Sequence, residues 1–290
     1  MQIWTGTAYT APQHAIPLAR MLDEAGFDGI VVSDHLIYPR ELSSPYPSPT
    51  GKPHWTPDTP WPDSWVLIGA MAAVTQRIRF TNAVYIAPAR PLLEVAKQVA
   101  TAAVISGDRI ALTVGAGWMR EEFDLMGQDF STRGRRLDEM IPALRELWRG
   151  GWVSWSGTHY QVPELMIEPH PQEPVPILCG GESEAALQRA ARLCDGWVGT
   201  AYSRQQAAEK VESLTALRRR FGRDGDPFQI MVAFTEPPSA DLFTYAEDIG
   251  VTAVMCSPWG SAGAAGAPAT VDDYRVAIER FADTVLAEMN

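Results

Sequence analysis

The chain has 290 residues, 46% of them hydrophobic and 20% charged, which excludes disorder as its main state and supplies enough apolar surface for a sizeable core. No apolar run approaches the ~18 residues of a membrane span, and the mean hydropathy is −0.11. The net charge of −11 argues against a binder of nucleic acid or of anionic membranes, which would need a basic surface.

The first six residues, Met1-Gln2-Ile3-Trp4-Thr5-Gly6, carry neither a basic nor an apolar leader pattern, so no signal peptide is expected. Cys179, Cys194 and Cys256 form no CxxC pair and read as reduced, buried thiols of a cytoplasmic protein. Short β-branched or apolar runs fall at 3–6, 28–33, 78–86, 109–114, 176–180, 196–200, 228–234 and 251–256. Most are continuously apolar, the pattern of parallel strands covered on both faces. Segments of helical period follow at 12–25, 62–75, 91–105, 137–148, 184–194, 204–221, 239–249 and 271–288. Pro142 interrupts the fourth and predicts a kink or a split there. Eight strands alternating with eight helices predict a (β/α)8 TIM barrel, with a doubly wound open sheet as the alternative; the count of eight favours closure.

Two insertions break the rhythm. The stretch 36–60, after the second strand, holds seven prolines together with Tyr38, Tyr46 and Trp55, and reads as a lid or binding loop. The stretch 150–174, after the fourth helix, contains Val153-Ser154-Trp155-Ser156-Gly157-Thr158-His159-Tyr160 and reads as a small hairpin. The Gly/Ala-rich 261–268 reads as the eighth βα loop. No linker divides the chain, so 1–290 reads as a single domain.

Barrel chemistry gathers at the C-terminal ends of strands. Asp34-His35 follows the second strand: His35 is a candidate general acid/base, and the alternative is a pair that caps the strand and orients the long loop. Gly115-Ala116-Gly117 follows the fourth strand and serves either as an anion cradle or as an ordinary tight turn; it lacks the third glycine of a dinucleotide fingerprint. Gly180-Gly181 runs into a helix and offers a second phosphate seat, with Glu182 placed awkwardly for that role. Cys179 stands at the same strand end, where a small buried residue is the better reading than a nucleophile. Trp118, Trp197 and Trp259 are expected to cluster at the mouth as an apolar pocket. HExxH, an early HxH, GxSxG and Walker A patterns are absent, so metal hydrolysis is not expected and no metal site is assigned.

The run AKQVATAAVISGDRIALTVGAGWMREEFDLMGQDFSTRGRRLDEMIPALRELW within 92–148 resembles the bacterial luciferase-like monooxygenase superfamily. So do SDHL at 33–36, SPYPSPTG in the long loop, GTHY at 157–160 and GGESEAALQRAARLCDGW at 180–197. The resemblance covers about 15–200 and points in particular to the branch that uses the deazaflavin coenzyme F420. It implies the same barrel, with the cofactor ring at the C-terminal mouth and Asp34 and His35 beside it. It implies a cis peptide at Ala83–Val84 behind the ring. It places the ribityl or phosphate arm on Gly115, Ala116 and Gly117, closed by Gly180 and Gly181, with Trp118 and Cys179 also among the cofactor-binding residues. Arg120, in the βα loop, is the choice among Arg90, Arg120, Arg133, Arg135 and Arg136 to receive the acidic tail.

In the sugar-phosphate dehydrogenases of this family a catalytic glutamate follows Gly-x-Gly. Here Trp118 stands there, so a sugar hydroxyl is not the expected substrate. The resemblance implies hydride transfer between F420 and an apolar or aromatic small molecule, His35 shuttling the proton and Asp34 orienting it. The alternatives are an FMN-dependent monooxygenase served by a flavin reductase and a non-catalytic flavin-binding protein. Relatives are often dimers, and no exposed apolar helix face in the sequence marks an interface.

Overall fold

The computed structural model describes residues 1–48, 50–260 and 268–289. Its strands in chain order are β1 (Gln2–Gly6), β2 (Gly29–Val32), β3 (Arg79–Asn82), β4 (Leu112–Val114), β5 (Val153–Ser156), β6 (Gln161–Leu165), β7 (Ile177–Gly180), β8 (Gly196–Tyr202), β9 (Gln229–Phe234) and β10 (Ala253–Met255). Eight of them run parallel in the order β3-β2-β1-β10-β9-β8-β7-β4. The two edges meet: Phe80 N–H donates to Arg109 O at 2.8 Å and Ala111 N–H donates to Phe80 O at 2.9 Å. The sheet thus closes into the TIM barrel expected from the element count.

The two-sided burial of these strands explains their unbroken apolar sequence. Trp4, Val31, Ala111, Leu178, Val198, Met231 and Ala253, one from each of seven strand positions round the barrel, form an inner core. Their neighbours Ile3, Ile30, Leu112, Cys179, Trp197, Val232 and Val254 pack in the larger core against the helices, because successive side chains of a strand point to opposite faces.

The helices are α1 (Ala15–Glu24), α2 (Ser64–Ala72), α3 (Leu92–Ser106), α4 (Arg120–Leu125), α5 (Arg133–Leu147), α6 (Glu184–Leu193), α7 (Arg204–Arg220), α8 (Ala240–Asp248) and α9 (Val271–Phe281). Side-chain caps start several of them. Asp63 accepts from Trp65 N and Val66 N ahead of α2, Ser183 from Ala186 N ahead of α6, and Ser203 forms a capping box with Gln206 on α7. No described helix is long and apolar enough to cross a membrane.

Three sequence expectations change. The helix around Pro142 is neither split nor shortened: α5 runs through it, with Leu137, Met140, Ile141, Ala143, Leu144 and Leu147 buried. Burial of that stripe outweighs the roughly 3 kcal/mol a proline costs a helix interior. The run 78–86 is a strand only to Asn82; beyond it the Ala83–Val84 peptide is cis and a short 3-10 turn, Ala87–Ala89, follows. The short helix α4 escaped the sequence reading because six residues cannot show a helical period. The hairpin β5–β6 stands after the fourth barrel helix as expected, and the long loop after β2 contains no helix or strand among its described residues. The loop expected at 261–268 lies outside the described residues apart from Pro268.

Candidate active site

The C-terminal end of β2 delivers Asp34 and His35 to the barrel mouth, and the structure gives each its own partner. Arg90 donates from Nη2 to Asp34 Oδ1 at 2.7 Å and from Nη1 to Asp34 Oδ2 at 2.8 Å. Ile86 N–H adds a third bond to Oδ2 at 3.0 Å, and Arg90 also donates to Ile86 O. Both residues are buried, 4% and 5% exposed. Burial alone would lower the Arg90 guanidinium, but the Asp34 carboxylate beside it outweighs that and raises it. This forked pair ties the end of β2 to the segment after the cis peptide.

His35 is not oriented by Asp34, which corrects the sequence expectation. Its Nδ1 lies 3.1 Å from Glu122 Oε1, and Leu36 N–H donates to the same oxygen at 2.8 Å. Glu122 is 2% exposed. Adjacent strand-end residues point in different directions, so Asp34 and His35 cannot share one partner geometry. The sequence signal for Glu122 is the Glu-Glu pair at 121–122, shortly after Gly-x-Gly-Trp within the stretch that carries the family resemblance.

The neighbouring Glu121 fastens the proline-rich loop. Its Oε1 accepts from Ser43 N, Ser43 Oγ and Ser44 N, and its Oε2 from Ser44 Oγ at 2.7 Å. Burial would raise this carboxyl, but the serine hydrogen bonds win and hold it down at about 2. The two carboxylates of α4 therefore grip the loop at its start and near its middle.

The loop returns aromatic rings to the mouth. The His35 ring centroid lies 4.8 Å from Trp55, 5.3 Å from Trp61 and 5.8 Å from Trp118. Tyr46 packs edge-on to both Trp55 and Trp118 at 5.1 Å. The indole N–H groups of Trp55 and Trp61 are buried without a partner among the described residues. Trp118 is thus in the aromatic cluster, but Trp197 and Trp259 are not. Trp197 lies on the outward side of β8, fully buried, and donates to Gly181 O at 3.1 Å. Trp259 packs on Tyr274 at 4.8 Å. The other aromatics of the cluster come from the long loop and its end, Tyr46, Trp55 and Trp61, where the sequence offers no register to place them.

The glycines at the strand ends surround Val84. A Cβ on Gly115 would stand 2.3 Å from Val84 Cγ2, and one on Gly180 would stand 2.3 Å from Val84 Cγ1. The valine following Ala83 is therefore wedged between the ends of β4 and β7, and presents an apolar platform there. Ala83 itself is held by its N–H on Val32 O at 3.0 Å and packs on the inner core. Ala116 is half-buried in the same turn. Gly117 adopts φ 83° and a Cβ there would meet Ile86 and Phe123. Gly181 also has a left-handed φ, 115°. Glu182 is engaged by the Tyr202 hydroxyl and by Lys210 at 3.7 Å.

Cys179 does not line the mouth with its side chain. Its thiol faces α6, 3.8 Å from Ala186 O, and is fully buried. The period of two along β7 sends Leu178 inward and Cys179 outward. The thiol's position corrects its assignment to the cofactor-binding residues.

Arg120 begins α4 and its guanidinium lies over the Phe130 ring at 4.7 Å. Arg133 covers the same ring at 3.7 Å and donates from Nε to Gly117 O at 3.0 Å. Among the described residues neither guanidinium has a carboxylate partner within ion-pair distance. Burial, and then repulsion from Arg120, lowers Arg133. Arg90 and Arg136, by contrast, are consumed internally, Arg136 by Gln128, Thr132 and Asp129 O.

The sequence pattern of the luciferase-like monooxygenases matches residues 2–236. An uncharacterized protein of Mycobacterium tuberculosis is 36% identical over 241 residues, 83% of each chain. Among solved structures, the monooxygenase RslO1 from Streptomyces bottropensis superposes over 100% of both chains with a TM-score of 0.77 at 18% identity. The coenzyme F420 dependent tetrahydromethanopterin reductase from Methanopyrus kandleri covers 100% of this chain and 99% of its own with a TM-score of 0.72 at 14% identity. The two structures share the fold. With the family pattern spanning the barrel from β1 to β9 and over the mouth just described, the chain belongs to the luciferase-like monooxygenase family of oxidoreductases.

Proposed function

We propose that the protein transfers a hydride between the deazaflavin coenzyme F420 and an apolar or aromatic small molecule, with His35 carrying the accompanying proton. The observation that carries this reading is the Arg120–Phe130–Arg133 stack. Two guanidinium groups, neither with a carboxylate partner among the described residues, stand over Phe130, and Arg133 reaches the Gly117 carbonyl, in a protein of net charge −11. Such a pair matches a cofactor whose arm ends in phosphate and carboxylates.

The rest of the mouth fits a flat tricyclic ring. Val84, held between Gly115 and Gly180, offers it an apolar backing. Gly115, Ala116 and Gly117 would follow the arm, with the Gly180–Gly181 backbone closing the other side. The bound coenzyme supplies or accepts the hydride. The chain's own residues do the remainder. Trp118, Trp55 and Trp61 enclose a substrate of aromatic or apolar character and exclude water. His35 exchanges a proton with it. Asp34, bonded to Arg90 and Ile86 N–H, fixes the strand end that carries His35.

The test is a parallel titration of the purified protein with oxidised F420 and with FMN, followed by tryptophan fluorescence. Trp118 lies in the mouth and reports ring binding. Micromolar or tighter binding of F420 with weak binding of FMN supports the reading. The reverse preference transfers it to an FMN monooxygenase served by a reductase, to be followed by oxygen uptake. Folded protein that binds neither overturns it.

A further inference from the structure

We infer that Glu122 is a positioning residue that holds His35 as its Nδ1–H tautomer, leaving Nε2 as the nitrogen that exchanges protons at the mouth. The inference rests on the reading of His35 as the proton carrier and adds the group that sets its chemical form.

The geometry decides the tautomer. Glu122 Oε1 already accepts the Leu36 amide at 2.8 Å, a bond in which the direction of donation is fixed because an amide nitrogen only donates. The same oxygen lies 3.1 Å from His35 Nδ1. A bare Nδ1 facing a carboxylate oxygen would set lone pair against lone pair in a buried place, an arrangement that costs desolvation without a bond. Nδ1 therefore carries the hydrogen, and the neutral ring has its free lone pair on Nε2. Glu122 is 2% exposed and the His35 side chain 11%, so the contact lies mostly out of solvent.

The sequence places the two residues 87 positions apart, and their meeting depends on α4 lying against the start of the proline-rich loop. Asp34 is turned to other partners, its oxygens bonding Arg90 and Ile86 N–H. The rings of Trp55, Trp61 and Trp118 also pack around the imidazole. Proton exchange then has a definite course. In one direction Nε2 takes a proton from the substrate and the ring becomes an imidazolium whose Nδ1–H stays on Glu122. In the other direction Nε2 returns it. The carboxylate compensates the positive charge and takes no proton itself, the division of labour of a buried carboxylate behind a catalytic histidine.

The experiment is 15N NMR of protein labelled at histidine, at a pH where the imidazoles are neutral. The chain has five histidines, few enough to assign His35 by comparison with a His35→Ala sample. Expected for the native protein is a protonated Nδ1 and an unprotonated Nε2 at His35. Glu122→Ala should move the ring toward the Nε2–H form, whereas Glu122→Gln, which retains an acceptor oxygen, should keep Nδ1–H. A native His35 found as Nε2–H overturns the inference whether or not the variants fold, and so does a Glu122→Ala protein whose His35 tautomer is unchanged. In turnover, Glu122→Ala should lower kcat by roughly 10²-fold or more, within the range of general acid–base catalysis, and should add nothing in a His35→Ala background. The tautomer is read without cofactor. Failure of F420 and FMN to bind would remove the proposed function and leave this pair standing, and a wrong tautomer in a protein that binds F420 would do the opposite.

Discussion

Arg90 and Asp34 face each other as a two-pronged, buried ion pair, 2.7 and 2.8 Å long, 56 residues apart in sequence. Breaking it from one side strands the other charge. Asp34→Ala leaves the Arg90 guanidinium buried with, among the described residues, only Ile86 O to receive it, and should destabilise the fold by about 3–5 kcal/mol. Arg90→Lys, which cannot fork, should also destabilise, by less. Urea unfolding followed by circular dichroism measures both; a loss below about 1 kcal/mol for Asp34→Ala would contradict the pair's structural role.

The wedge of Val84 between two glycines is testable by compensation. Gly115→Ala and Gly180→Ala each place a methyl 2.3 Å from a Val84 methyl. Overpacking of this kind costs about 1–3 kcal/mol. Trimming the obstacle with Val84→Ala should restore much of that loss in the double variants while removing the platform, so stability recovers and cofactor affinity does not. Double variants no more stable than the single glycine variants would show that the glycines serve some other end.

Glu121 makes the loop's attachment pH-dependent. Its carboxyl is held at about 2 against an ordinary 4.5 in the released state. A depressed folded value contributes stability that is fully present above 4.5 and disappears as the pH falls toward 2. Hydrogen exchange over residues 36–60 should therefore accelerate on acidification through that window in the native protein. In Glu121→Gln it should be faster already at neutral pH, with a flatter acid dependence.

Arg120→Ala removes a surface charge and leaves the Gly117 turn intact, since that turn is tied by Arg133. It should weaken F420 binding by up to roughly fivefold, about 1 kcal/mol, at low salt and less at high salt. Isothermal titration at two ionic strengths reads the effect. FMN, which lacks the carboxylate tail, should lose less.

His35→Ala should reduce turnover by about 10²–10⁴-fold while changing F420 affinity little. Single-turnover and equilibrium binding measurements on one preparation separate the two. Unchanged turnover would dismiss the acid/base role and favour a protein that only binds the cofactor.

Much of the barrel can be read in the sequence because each unit is local. The eight apolar runs, the helices between them, the hairpin at 153–165 and the Asp34-His35, Gly115–Gly117 and Gly180–Gly181 strand ends follow from continuous apolar stretches, the helical period of 3.6 and glycine punctuation. Pro142 shows the limit of that reading: the local rule allowed a kink or a split, and α5 runs on unsplit with its apolar stripe buried. The residues at the mouth show a different limit. That Glu122 rather than Asp34 holds His35, that Asp34 belongs to Arg90, that Trp55 and Trp61 rather than Trp197 and Trp259 surround the histidine, and that Val84 fills the space cleared by Gly115 and Gly180 were decided by the tertiary structure. These contacts join loop tips dozens of residues apart. Barrel closure brings such tips together with side chains of fixed direction, and no repeating pattern along the chain encodes which of them will meet.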